Sequence, residues 1–150
     1  MKKWLFVVLM LAGCGEEYYS TPGKTLARFV ENKRMGSVME LNATLSCFTE
    51  EDQQWWSSHY MALCIAKFGT FSRACEDKVS AQTTVWGDSF EYAGPESATV
   101  SSSNIEEDKG TATLVVGGNE VYFKKEKGNW KIDGFFGMRT KMEEAYPQIK

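Results

Sequence analysis

Few side chains in this 150-residue chain could carry acid-base, thiol or metal chemistry, and their spacing keeps them apart. The single imidazole, His59, falls on an apolar stretch with Trp55, Trp56 and Tyr60. Such a histidine acts as a general base only if a carboxylate meets it in a pocket that shifts its pKa. The plainer reading is a hydrogen-bonded wall residue. Asp88 and Asp133 are the carboxylates nearest to apolar strand-like positions, and spacing gives neither of them a partner. Each reads more simply as a turn or outward-facing residue. The chain has no nucleophile elbow, phosphate loop or zinc signature. Gly117-Gly118 reads as a hairpin turn, because a phosphate cradle needs more glycines and a following helix. With one histidine and no CxxC pair, no metal, cofactor or catalytic residue is assigned.

The amino terminus is more informative. Lys2 and Lys3 precede a short apolar run, Trp4 to Met10, which ends in small residues, the layout of a secretory signal. The run is less than half the length of a transmembrane helix. Leu11-Ala12-Gly13-Cys14 resembles the lipobox of bacterial lipoproteins. The resemblance implies cleavage before Cys14, a diacylglyceryl group on its sulfur, acylation of the new amino terminus, and a protein held on the bilayer of the cell envelope. Each buried methylene contributes about 0.8 kcal/mol, so two or three acyl chains anchor where one would not. Gly15 stands where inner-membrane retention would want Asp, which favours the periplasmic face of the outer membrane. Residues 1–13 are then signal, 14–20 a lipidated tether, and 21–150 one domain. Tyr18 and Tyr19 sit either at headgroup level or against the edge of the domain.

Losing residues 1–13 leaves 137 of 150 residues and, with Lys2 and Lys3 gone, moves the formal charge from −3 to −5. That balance argues against nucleic acid as a partner and against a polybasic lipid-binding patch. Cys47, Cys64 and Cys75 remain in an oxidising compartment. Cys64 and Cys75 flank a break at Gly69 at similar distances, so a chain that doubles back there brings them level. Cys47 is separated from Cys64 by most of a helix, too far to bridge. A Cys64–Cys75 disulfide with Cys47 as a buried free thiol is the expectation. Trp55, Trp56, Tyr60, Phe68 and Phe71 either line a pocket for an apolar ligand, form plain core, or lend one tryptophan to a contact surface.

Periodicity places the elements. Thr21 caps, and Pro22 opens, a helix to about Arg34 with Leu26, Phe29 and Val30 on one face. Gly36 ends it; Ser37 and Glu40 form a capping box for a second helix carrying Val38, Leu41 and Leu45. Thr49 and Asp52 cap a third, through Cys64, and a fourth piece is expected near Phe71 to Val79. Thr83 to Trp86 favours a strand. From Ala98 the period becomes two, giving strands over Ala98–Glu106, Thr111–Val116, Glu120–Glu126 and Trp130–Phe135. Their short turns force an antiparallel meander. Val121, Phe123, Trp130 and Ile132 share a face that helices must cover. A short helix, Met138–Tyr146, closes the chain.

Helices first and a sheet after is an α+β arrangement. Pro22, Leu26, Phe29, Val30 and Gly36, with the ending Lys125-Glu126-Lys127-Gly128-Asn129-Trp130-Lys131-Ile132, resemble small bacterial lipoproteins with a nuclear transport factor 2-like domain. The resemblance implies a cone, a curved sheet wrapped around helices with a pocket at its wide end. The expected function is non-catalytic binding of a small apolar ligand or an envelope protein. A cone enzyme of the isomerase or dehydratase kind using His59 is the first alternative, and an envelope inhibitor the second.

Overall fold

The computed structural model describes residues 17–33, 38–90 and 94–149. The first helix, α1 (Pro22–Lys33), begins where the Thr21 hydroxyl accepts the Lys24 N–H at 3.2 Å, and it buries Leu26, Phe29 and Val30. The second, α2, is Val38–Leu45; the expected stop at Gly36 and cap at Ser37 lie outside the described residues. The third, α3 (Glu50–Phe68), starts at Thr49, whose hydroxyl accepts the Asp52 N–H at 3.3 Å, and ends at Gly69 with φ +85°. Glu50 and Glu51 place negative charge in its first turn, where the helix dipole favours it.

Residues expected to form a strand at Thr83–Trp86 instead belong to a fourth helix, α4 (Lys78–Phe90). β-branched propensity yields here to packing. Ala81 and Val85, four apart, are buried, and Trp86 meets Trp56 edge-on at 5.4 Å. Asp77 supplies the start, its carboxylate accepting the Ser80 N–H at 2.9 Å. The piece expected over Phe71–Val79 divides into a 3₁₀ turn, Arg73–Cys75, and the opening of α4. The turn brings Cys75 to Cys64 as a disulfide, S–S 2.09 Å, tying α3 to the approach of α4. The bridge closes a loop of sequence separation 11. Replacing both cysteines with Ser is expected to lower unfolding free energy by about 3 kcal/mol, read from urea denaturation.

The sheet is a meander of β1 (Val100–Glu106), β2 (Thr111–Val116), β3 (Asn119–Glu126) and β4 (Asn129–Ile132), in that spatial order and antiparallel throughout. Ala112, Leu114, Val121, Phe123, Trp130 and Ile132 point inward and are buried under the helices. β1 lies beyond their cover and is exposed along its length. Its register slips between Val100 and Ser102, where the Ser101 hydroxyl donates to the Val115 carbonyl at 3.0 Å. The segment between α2 and α3 grips the other edge. Ile132 N–H donates to the Cys47 carbonyl and Thr49 N–H donates to the Ile132 carbonyl, at 2.8 and 3.0 Å. The result is α+β, with the aromatic core between the helices and the sheet.

The last strand stops at Ile132 rather than Phe135. Gly134, Phe135, Phe136 and Gly137 all take positive φ, which breaks the strand before α5 (Met138–Ala145). Two bulky residues in the left-handed region are unfavourable by about 1–2 kcal/mol each, so the surroundings must hold them there.

Candidate functional site

A groove of about 800 Å³ opens at one end of the sheet. One wall is the loop from Gly94 to Thr99 and another is the β2–β3 turn, Gly117-Gly118-Asn119; Phe136 and Lys141 complete it. Gly94 is required by close approach, since a Cβ there would lie 2.5 Å from the ring of Phe29. Lys33, at the end of α1, donates to the Gly94 carbonyl at 3.1 Å and pins the loop. The lining is mixed: Ser97, Thr99, Asn119 and Glu120 bring polar groups, and Pro95, Val116, Val121 and the ring of Phe136 bring apolar ones. Its volume lies within the range of ligand pockets.

Asp52 sets the position of that ring. It sits on the buried face of α3 at 2 % exposure, and its carboxylate accepts the Gly134 N–H at 2.7 Å. The carboxylate thus lies between the Thr49 cap of its own helix and the Gly134 amide, and holds the left-handed run against α3. From that run Phe135 enters the core at 0 % exposure, while Phe136 packs on Phe29 at 4.9 Å and faces the groove. Burial pushes the Asp52 carboxyl up to about 6, against the backbone amides of Gly134 and Phe135 and the Thr49 side chain, which favour the ionised form.

The residues singled out in the sequence lie elsewhere. Trp55, Trp56 and Tyr60 are core, 6, 0 and 8 % exposed, and Trp56 packs against Trp86 and Phe135. Rings fill the space that a ligand would need, so these side chains are not among the lining of the groove. The Trp55 indole N–H donates to Glu143 at 3.0 Å, and Arg139 joins Glu143 to Glu51. Half-buried His59 stacks on Trp55, with ring centres 4.9 Å apart, and its Nδ1 lies 2.7 Å from the Trp55 carbonyl oxygen. Nδ1 therefore donates to its own helix. Among the described residues no carboxylate is hydrogen-bonded or ion-paired to His59. Asp133 is exposed, the side chain of Asp88 lies outside the described residues, and Phe71 is wholly exposed at the tip of the disulfide loop.

Cys14 lies outside the described residues, which begin at Glu17. Tyr19 carbonyl accepts the Trp130 N–H at 2.8 Å and its hydroxyl meets Ser46 at 2.7 Å, while Lys131 lies over its ring at 3.7 Å. Tyr18 stacks under Arg28 at 4.7 Å. Tyr19 thus lies against the edge of the domain, whereas Tyr18 is exposed beside α1. Beneath this seam, Cys47 is free and fully buried; burial pushes its thiol up to about 12 although Lys131 and Arg28 oppose the shift. Native protein at pH 8 is expected to leave Cys47 unmodified by a thiol reagent and to expose one reactive thiol on unfolding; rapid native labelling would contradict the packing.

The sequence marks Asp52 only as a cap and gives Phe136 and the loop 94–99 no functional signature. Two signals were present: an acidic residue in register with the apolar stripe of α3, and a pair of phenylalanines between two glycines directly after an apolar strand. Among the described residues no group of three or more His, Cys, Asp or Glu is arranged to hold a metal ion. No protein-family model matches the chain, and neither a curated protein nor a solved structure does at significant similarity.

Proposed function

We propose that this protein is a lipid-anchored module of the bacterial envelope, fixed through acylated Cys14, whose domain binds a small ligand or a partner segment without transforming it. The groove carries this reading, being a ligand-sized space whose lining offers hydrogen-bonding edges around one aromatic face. A fitting occupant has a polar rim and a single apolar face for Phe136. Helices on one side of a four-stranded antiparallel meander, with an opening at one end, also fit the nuclear transport factor 2-like cone. The secured Tyr18-Tyr19 segment fits a tether that begins the domain within a few residues of the lipid.

His59 supports binding over catalysis. Its Nδ1 proton is committed to the Trp55 carbonyl, and the ring lies against an indole instead of in the groove. The test is native mass spectrometry of the exported domain carrying Cys14→Ser, purified gently from its own envelope. The expected result is a reproducible adduct, lost in Phe136→Ser and kept in His59→Gln. A bare mass in every preparation removes the groove as a binding site, and turnover of an adduct that His59→Gln abolishes replaces the reading with an enzyme.

A further inference from the structure

The groove and the tether occupy opposite ends of the same two elements. At the start of α1, Thr25 donates to the Trp130 carbonyl beside the Tyr19 seam, and at its end Lys33 pins Gly94 in the groove wall. Thr25 and Lys33 are eight residues apart along this helix, about 12 Å. β3 repeats the measurement. Asn119 lines the groove, whereas Lys125 pairs with Trp130, whose N–H is bound to Tyr19. Asn119 and Lys125 are six residues apart along the strand, about 20 Å.

Cys14 precedes Glu17 by three residues, which span about 10 Å at most. A lipid on Cys14 therefore holds the Tyr18 end of the domain within that reach of the bilayer surface. The surface there suits headgroups. Tyr18 is 48 % exposed, and a shallow cleft of about 460 Å³ runs along it, lined by Lys24, Ala27 and Arg28 together with the carboxylates of Glu17 and Glu31, the latter paired to Arg28 at 3.1 Å. An amphipathic ring and two long cations are side chains that settle at that depth.

Resting on the anchored reading above, we infer that the domain stands on the bilayer on its Tyr18–Arg28 end, with the groove opening on the far side. The occupant of the groove then arrives from the aqueous compartment and does not partition out of the lipid. The hydrogen-bonding groups of Ser97, Thr99, Asn119 and Glu120 in its wall fit an occupant delivered through water.

The test uses the full chain, exported and purified with its lipid, in vesicles of phosphatidylethanolamine and phosphatidylglycerol carrying a headgroup-attached quencher. Lys24→Cys and Asn119→Cys are labelled with one fluorophore; Cys47 is buried and Cys64 and Cys75 are bridged, so the new thiol takes the label. Quenching at 24 is expected to be severalfold that at 119. A second pair, Ala27→Cys and Thr99→Cys, repeats the comparison at other exposed positions. Equal quenching at both ends, or stronger quenching at 119 and 99, overturns the orientation while leaving the anchor in place. A chain whose intact mass lacks lipid and which does not float with the vesicles overturns the anchored reading, and the orientation with it.

Discussion

Replacing Asp52 with Asn raises stability at neutral pH and leaves it nearly unchanged at pH 4. The folded carboxyl titrates at about 6 because burial disfavours its charge, whereas an unfolded Asp titrates near 3.9. Between these values the folded protein keeps a proton that the unfolded chain has released. Stability therefore falls as pH rises through that window, by up to about 3 kcal/mol, and stays lower above it. Asn keeps an oxygen to accept the Gly134 N–H and has nothing to titrate. Urea denaturation across pH 4 to 8 should show the two proteins converging at the acid end and Asp52→Asn ahead at the neutral end. Asp52→Ala behaves differently. It leaves the Gly134 amide without its acceptor and lowers stability at pH 4 by about 1–3 kcal/mol. A wild-type protein more stable than Asp52→Asn at pH 7 would mean that the amides outweigh burial.

Phe48→Ala is expected to destabilise by about 3–5 kcal/mol, a large part of the whole for a domain of this size. The ring is fully buried where the α2–α3 segment meets β4, and its backbone neighbours Cys47 and Thr49 carry the bonds to Ile132. It touches Phe135 at 4.5 Å between ring centres, Phe29 at 5.6 Å, Phe136 at 5.7 Å and Trp86 at 6.3 Å. Truncation opens a cavity bordered by α1, α4 and the left-handed turn together, and no single neighbour can collapse into it. Phe48→Leu keeps most of the volume and should lose about 1.5 kcal/mol. Equilibrium unfolding of the two variants measures the difference; a loss below 1 kcal/mol for Ala would place Phe48 outside the packed centre. Because Phe136 rests on the same ring, the Ala variant should also weaken any occupant of the groove.

What was legible in the sequence follows from how local each signal is. Thr21-Pro22, Thr49 and the turns at Gly110, Gly117-Gly118 and Gly128 act within a few residues, and α1, α3 and the strands begin and end close to where those residues place them. The Cys64–Cys75 pair was readable for the same reason, since the Gly69 break lies between them. Thr83 to Trp86 was misread because four strand-favouring side chains in a row conceal Ala81 and Val85, whose spacing matters only once α3 is beside them. The strand was extended to Phe135 because nothing local announces that Asp52, 82 residues earlier, holds Gly134. The groove was invisible for a related reason. Its walls come from the loop before β1, the β2–β3 turn and the approach to α5, brought together by tertiary packing alone. His59 drew attention through its residue type, and its hydrogen bond to its own helix gives it a local role.

The measurement to make is the intact mass of the mature protein recovered from its own membrane. The expected species is a chain beginning at Cys14 that carries a thioether-linked diacylglyceryl group and an acylated amino terminus, with the Cys64–Cys75 bridge intact. A chain that still includes residues 1–13, or one beginning at Cys14 with a free thiol and no lipid, would contradict the lipid-anchored reading.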